Sequence, residues 1–325
     1  MATLPENRAA AGILFVLGGV LAISFNDMLI KQLSGGYPLH ELVFIRSFIG
    51  IILSLFLIRM EGGLQILRTS QPMLHALRGL LIVIANMCYF AALAAMPLAD
   101  ATALFFAAPL IITLLSIPML GEKVGPLRLS AVTVGFAGVI IMQRPWASAE
   151  ELQVSRLVLV LPVIAALTYA LNQLMTRMLG VNSKASAMSV YVQLAFIVVS
   201  SGFFLVAGDG RYAEGLDNPS LFFLLRAWVW PTPQDWVWLV AMGANAAIIG
   251  YCLSQAYRIA DAATVAPFEY VGLPLAVLWG WLIFGDLPAL EVWIGITLIL
   301  GSGLFVFLRE QHKARMVARG PVKRR

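Results

Sequence analysis

One stretch limits what this chain can fold into more than any other: Ile259 to Pro288, IADAATVAPFEYVGLPLAVLWGWLIFGDLP. It is apolar for long enough to cross a bilayer, which takes about 20 residues of helix. Pro267 and Pro274 each remove a backbone donor inside the run, so some carbonyls lose their helical partner. Glu269 lies between them, and an ionisable side chain within a span costs a few kcal/mol unless it is protonated, paired or hydrated. The stretch ends abruptly on Phe284-Gly285-Asp286-Leu287-Pro288. An earlier segment, Pro97 to Val124, repeats the plan, with Ala-Thr near its start, proline within and an apolar-glycine-acid exit at Leu120-Gly121-Glu122.

The rest of the chain offers little that is soluble. Hydrophobic residues make up 60% and charged residues 12%, against about 25% charged in soluble domains. A net charge of +5 does not point to nucleic acid, because the basic residues crowd the tail: Arg309, Lys313, Arg315, Arg319, Lys323, Arg324 and Arg325. Such a tail suits a cytoplasmic terminus beside anionic lipid. Cys88 and Cys252 both fall in apolar runs, which argues against a disulfide framework.

Apolar runs predict about ten spans: Gly12–Leu33, Leu39–Ile58, Leu74–Ala95, Leu98–Met119, Gly125–Met142, Leu157–Leu179, Ala187–Ala207, Trp236–Arg258, Ala262–Phe284 and Leu290–Leu308. The longest loop, Gly208 to Asp235, is rich in Phe, Leu and Trp, as suits a membrane interface. Placing both termini in the cytoplasm puts Arg8, Arg59, Arg68, Lys123, Arg128, Arg177, Lys184, Arg258 and the basic tail inside. Only Arg144, Arg156, Arg211 and Arg226 then fall outside.

The halves also match elsewhere. Asn26 to Lys31 in the first span parallels Asn172 to Arg177 in the sixth. Tyr89, Ala94, Ala101, Thr102 and Phe106 align without a gap to Tyr251, Ala256, Ala263, Thr264 and Phe268. Five spans per half is an odd number, so the second copy enters the membrane from the opposite side. The expected architecture is an all-α polytopic membrane protein with residues 1–146 and 157–308 as two inverted five-helix repeats and 309–325 as a cytoplasmic tail. Inverted repeats are the commonest way for a carrier to build two exchangeable conformations around a central site.

On the residues Asn26 to Lys31, Pro109, Leu120-Gly121-Glu122, Phe268-Glu269-Tyr270 and Gly285-Asp286-Leu287-Pro288, the chain resembles the EamA branch of the drug/metabolite transporter superfamily. The resemblance runs over nearly the whole chain in two tandem copies. It implies ten helices in two inverted halves and secondary transport of small organic solutes, among them amino acids, amines, purine metabolites, S-adenosylmethionine and riboflavin. Asp286 departs from the Gly-Glu exit of the first copy, and the shorter acid is expected to cap a helix start all the same.

No HExxH, phosphate loop or GxSxG motif is present, so catalysis is not expected, and no cofactor or metal site is called for. His40, His75 and His312 sit at span ends. The expected solute contacts are polar and aromatic groups at mid-membrane depth: Asn26 and its repeat mate Asn172, Asn86 with Tyr89 one turn on, Asn245, Tyr251 and Gln255, and Glu269 with Phe106 and Tyr270 as aromatic walls. The plainer alternative for Asn86 and Asn245 is a bond between helices, worth about 0.6–2 kcal/mol. Asp27, one residue from Asn26, is expected to turn away and pair with Lys31. Glu41 and Arg46 read as structural ion-pairing groups near the outer interface, and Asp100 and Asp261 as helix-start carboxylates. Gly135, Gly138, Gly295, Gly301 and Gly303 read as close-packing or homodimer-forming positions.

The function expected from these readings is a secondary carrier in a bacterial inner membrane. Its cargo would be an aromatic or heterocyclic metabolite such as riboflavin, with an amino-acid or drug exporter of the same fold as the alternative. A receptor or scaffold is the rival from another class, and it would be expected to carry a soluble domain or recognition tail. The expected partners are a small-molecule solute and membrane lipid, without nucleic acid.

Overall fold

The computed structural model describes residues 6–121, 124–147, 154–179, 183–260 and 262–318. Glu122, Asp261 and residues 319–325 of the basic tail lie outside them. Among the described residues the chain forms helices and turns alone, because in hydrocarbon a helix satisfies its own backbone.

The order is α1 (Glu6–Leu33), α2 (Leu39–Glu61), α3 (Pro72–Leu93), α4 (Leu98–Phe105), α5 (Ala108–Leu120), α6 (Pro126–Gln143), α7 (Arg156–Leu179), α8 (Ala185–Ala207), α9 (Pro219–Leu225), α10 (Trp236–Ile259), α11 (Ala262–Glu269), α12 (Gly272–Trp279) and α13 (Leu290–Ala318). Proline opens several of them: Pro72, Pro126 and Pro219 occupy first-turn positions, where a missing N–H costs nothing. Among the described residues, seven segments are long and apolar enough to span a membrane, 98–120 included. Three shorter apolar stretches, 129–143, 272–284 and 290–305, stand where the fifth, ninth and tenth spans were expected. The protein is a polytopic all-α membrane protein.

The expected fourth and ninth spans are each broken in two, and proline explains where. A proline ring clashes with the carbonyl four residues back. Four residues before Pro109 is Phe105, the last residue of α4; four before Pro274 is Tyr270, the first residue past α11. Tight backbone bonds turn the chain at both places, Ala107 N to Leu104 O at 3.2 Å and Leu273 N to Tyr270 O at 3.1 Å. The two glycine exits also match. Gly121 (φ 67°) and Gly285 (φ 70°) both adopt the left-handed conformation that closes a helix. Gly285 follows a π-helical turn over Gly280–Phe284. Asp286 does not cap a helix start: its N–H closes that turn on Gly280 O, and α13 begins only at Leu290.

Helix partners are exchanged in a regular way. α1 packs on α10 while α7 packs on α3; α2 packs on α8 and α6 on α13; α1 meets α11 and α12 while α7 meets α4 and α5. Gly138 and Gly295 let α6 and α13 approach, since a Cβ on Gly138 would lie 2.9 Å from the Gly295 carbonyl. Gly135 faces Leu110 and Ser302, and Gly303 lies under the Tyr270 ring, so these four glycines are used within the chain. Gly301 has nothing within 4 Å of its Cβ position.

Side-chain bonds tie both ends of the bundle. At the end near the start of α1, called proximal here, Gly12 abuts Ala260, and the Glu61 carboxylate accepts from Tyr251 (2.9 Å) and Ser186 (2.7 Å). At the distal end Lys31 Nζ donates to the carbonyls of Met96 (2.7 Å) and Leu93 (3.4 Å), capping the end of α3. The expected Asp27–Lys31 pair is therefore not formed. The loop from 208 to 235 folds onto this distal end: Tyr37 donates to Asp235 (2.6 Å), the Val229 N–H to Glu41 (3.1 Å) and Arg226 to Gly35 O (3.0 Å). Bonds from Tyr37 and Thr232 hold the Asp235 carboxyl below its ordinary range. This latch is kept above that range and lost only as pH falls through the lowered value.

Candidate functional site

The helix breaks matter because of what lies beside them. α1, α2, α3, α4, α7, α8, α10, α11 and α12 enclose a cavity lined by apolar residues and by a few strongly polar ones. Its volume is about 160 Å³. One water takes about 10–15 Å³ on that measure, so the space suits an organic solute rather than a lone ion.

Its polar groups fall into two clusters. The distal one is built around Arg46, 4% exposed, in the second turn of α2. Nη1 donates to Asn26 Oδ1 (3.2 Å) and Nη2 to Asn86 Oδ1 (2.9 Å). Asn26 in turn donates to Asp27 Oδ1 (3.2 Å), so its amide joins the guanidinium to the carboxylate. Phe90 and Phe196 flank the guanidinium, their centroids 5.3 and 5.0 Å away. Tyr89 completes the cluster through its hydroxyl contact with Thr102 (2.8 Å).

The proximal cluster is built around Glu269, the last residue of α11. Its carboxylate accepts from the Tyr257 hydroxyl in a short bond and from Tyr169 at 3.1 and 3.2 Å. Gln173 Nε2 donates to Tyr169 Oη (2.7 Å), and Asn172 Nδ2 donates to Gln173 Oε1 (3.4 Å). Beside this chain lies Arg78 of α3, whose Nε donates to Thr176 (2.6 Å) and whose other nitrogens reach Met188 O (3.3 Å) and Ser254 (3.4 Å). Phe105 and Phe106, at the α4 break, supply aromatic wall.

Of the residues expected at the site, Asn26, Asn86, Tyr89, Phe106, Asn172 and Glu269 line this cavity. Four others are engaged elsewhere. Tyr251 bonds Glu61 at the proximal end and packs edge-on to Phe15. Gln255 accepts from Arg258 (3.0 Å), one turn along the same helix. Tyr270 packs between Phe106 and Gly303. Asn245 donates to the Ala22 carbonyl, tying α10 to α1. Asn245→Leu should therefore lower unfolding stability by about 1 kcal/mol and leave solute affinity at the wild-type value, read by thermal melting alongside a binding isotherm.

Two expectations are corrected. Asp27 does not turn away from Asn26; both line the cavity, which spans enough of the α1 surface to take neighbouring residues. Arg46 is not in an ion pair at the outer interface but stands in the cavity, bonded to Asn26 and Asn86, while Glu41 bonds the distal loop. Arg78, Tyr169, Gln173 and Tyr257 were not among the expected contacts. Arg78 carried a signal, since an arginine inside an apolar span is a functional candidate by default. The tyrosines carried none, because nothing local links positions 169 and 257 to position 269.

Known proteins place the chain independently. The EamA-like transporter family model matches residues 10–144. The chain is 31% identical over 315 residues to a riboflavin transporter of Rhizobium johnstonii, covering 96% of each. It is 32% identical to a riboflavin transporter of Vibrio cholerae, over 95% of this chain and 97% of the relative. An S-adenosylmethionine uptake transporter of Rickettsia prowazekii is 26% identical, over 92% of this chain and 93% of the relative. With relatives of this kind matched end to end, the chain belongs to the EamA-like transporters of the drug/metabolite superfamily, a small-molecule transporter family rather than an enzyme family.

Proposed function

We propose that the chain is a secondary carrier of a heterocyclic metabolite of the riboflavin type, working by alternating access in a bacterial inner membrane. The observation that carries this reading is the cavity between the helices with charged groups in its lining, bounded by two proline-broken helices. Discontinuous helices at a central site are a recurrent feature of secondary transporters. Aromatic walls at Phe105, Phe106, Tyr89 and Tyr169 with few polar anchors suit a planar ring.

The exchanged helix partners support the inverted-repeat reading with residues 1–146 and 157–308 as the halves. Exchanging the first five spans for the last five turns the α1–α10 contact into the α7–α3 contact and maps α2–α8 and α6–α13 onto themselves. Rocking the halves would move α4–α5 and α11–α12 past the solute. A second reading, a zwitterionic or cationic solute such as S-adenosylmethionine, is favoured by the two cavity carboxylates, Asp27 and Glu269. A thermal-shift panel of riboflavin, S-adenosylmethionine and amino acids on purified protein separates them, because a specific ligand raises apparent stability. Riboflavin should give the largest shift; a larger shift with S-adenosylmethionine would transfer the assignment to the second reading.

Orientation has its own test. With both termini cytoplasmic, a cysteine placed at Asp217 should react with an impermeant reagent in intact cells, and one at Gly320 should not. The opposite pattern would invert the proposed topology.

A further inference from the structure

Two groups in the proximal cluster are buried against the cavity with bonding capacity left over. A guanidinium has five N–H donors, and Arg78, 3% exposed, directs three of its bonds to neutral acceptors on α7, α8 and α10. One hydrogen remains on each terminal nitrogen. Among the described residues no carboxylate forms an ion pair with Arg78. The second group is Asn172, 4% exposed, whose Oδ1 has no hydrogen-bond partner.

The orientation of that amide follows from its neighbours. Tyr169 spends its proton on Glu269, so it must accept from Gln173 Nε2; Gln173 then presents Oε1 to Asn172, which answers with Nδ2. Asn172 Oδ1 is left facing away as a bare acceptor. Thr176 holds Arg78 one turn from Asn172 on α7, accepting from Arg78 Nε while donating to the Asn172 backbone carbonyl (2.8 Å). Buried polar groups without partners are rare and call for an explanation.

We propose that Arg78 and Asn172 together read a lactam or imide edge of the solute. Arg78 donates to ring carbonyl oxygen, and Asn172 Oδ1 accepts the adjacent ring N–H. The inference rests on the carrier reading above and narrows its solute to rings carrying a carbonyl next to an N–H. Such an edge satisfies both leftover groups at once. An adenine-type edge, a ring nitrogen beside an exocyclic amino group, also offers one acceptor and one donor, so the probes vary the lactam N–H itself.

The test is equilibrium binding to purified full-length protein with paired probes. Riboflavin is compared with 3-methylriboflavin, and guanosine with 1-methylguanosine, the ring N–H being blocked in the second of each pair. In the wild type, methylation should weaken riboflavin binding about 10–100-fold. Asn172→Leu should bind both flavins equally. Arg78→Gln should weaken riboflavin by a similar factor, and Arg78→Lys, which keeps the charge but loses the fork, should do so too. Equal wild-type affinity for the two flavins, or a methylation penalty that survives in Asn172→Leu, overturns the inference. If the wild type ignores both flavins but prefers guanosine to 1-methylguanosine, and Asn172→Leu erases that preference, the edge-reading pair stands and the riboflavin assignment falls. Equal affinity within both probe pairs sinks the edge reading.

Discussion

Arg46→Met should abolish detectable solute binding and cost about 3 kcal/mol of stability, the low end for breaking a buried charged pair. The low end applies because Arg46 and Asp27 are joined through the Asn26 amide rather than directly. Removing the guanidinium strands two acceptors, Asn26 Oδ1 and Asn86 Oδ1, and leaves the Asp27 carboxylate, still bonded by Asn26, without its nearby positive charge. Methionine fills the slot between Phe90 and Phe196, so lost packing contributes little. Asp27→Asn in the same chain removes the uncompensated carboxylate, and the double variant should recover at least about 1 kcal/mol. Thermal melting of the wild type, both single variants and the double variant reads that coupling. Strict additivity would show that Asp27 and Arg46 do not share one network.

Glu269→Gln should reduce concentrative uptake to the equilibrium level while leaving solute exchange intact. The carboxylate is held by the Tyr169 and Tyr257 hydroxyls, and among the described residues no cation forms an ion pair with it. A carboxyl so placed can gain or lose a proton without breaking a salt bridge, which is what a coupling group needs. Glutamine keeps the shape and much of the bonding, since each tyrosine hydroxyl can rotate to meet an amide nitrogen or oxygen, but it has no proton to exchange. In vesicles with an imposed proton gradient, the variant should lose both accumulation and the pH dependence of transport. Loss of exchange as well would make Glu269 a direct solute anchor. Wild-type rates and pH dependence would remove it from both roles.

How far the sequence reaches is seen in particular residues. That the fourth and ninth spans lose backbone bonds was legible because proline acts locally; that Pro109 and Pro274 break them in two, while Pro118 and Pro267 lie within a helix, was not. Gly121 and Gly285 announced the exits for the same reason, each being tolerant of the left-handed turn. Glu269 was legible because an acid within a span has few bland explanations.

The errors came from partners that sequence spacing does not encode. Tyr89 and Tyr251 align in the proposed repeat, yet Tyr89 lines the cavity while Tyr251 is captured by Glu61 at the end of α2. Nothing in the repeat predicts that capture. Asp27 and Lys31 have ideal helical spacing, but Lys31 finds free carbonyls at the end of α3, and Asp27 finds Asn26. Tyr169 and Tyr257 reach Glu269 only because α7, α10 and α11 converge, a tertiary fact with no local trace.

The central claim, that this cavity carries a riboflavin-type ring across the membrane, is tested most directly by counterflow. Proteoliposomes loaded with unlabelled riboflavin are diluted into a trace of labelled riboflavin, and internal label is followed over time without any imposed gradient. The account predicts a transient accumulation of label with wild-type protein, absent from protein-free liposomes and from Asn86→Leu. Asn86→Leu replaces an amide that meets both the cavity and Arg46. Accumulation at the wild-type level with Asn86→Leu, or none with the wild type while another solute is exchanged, would contradict it.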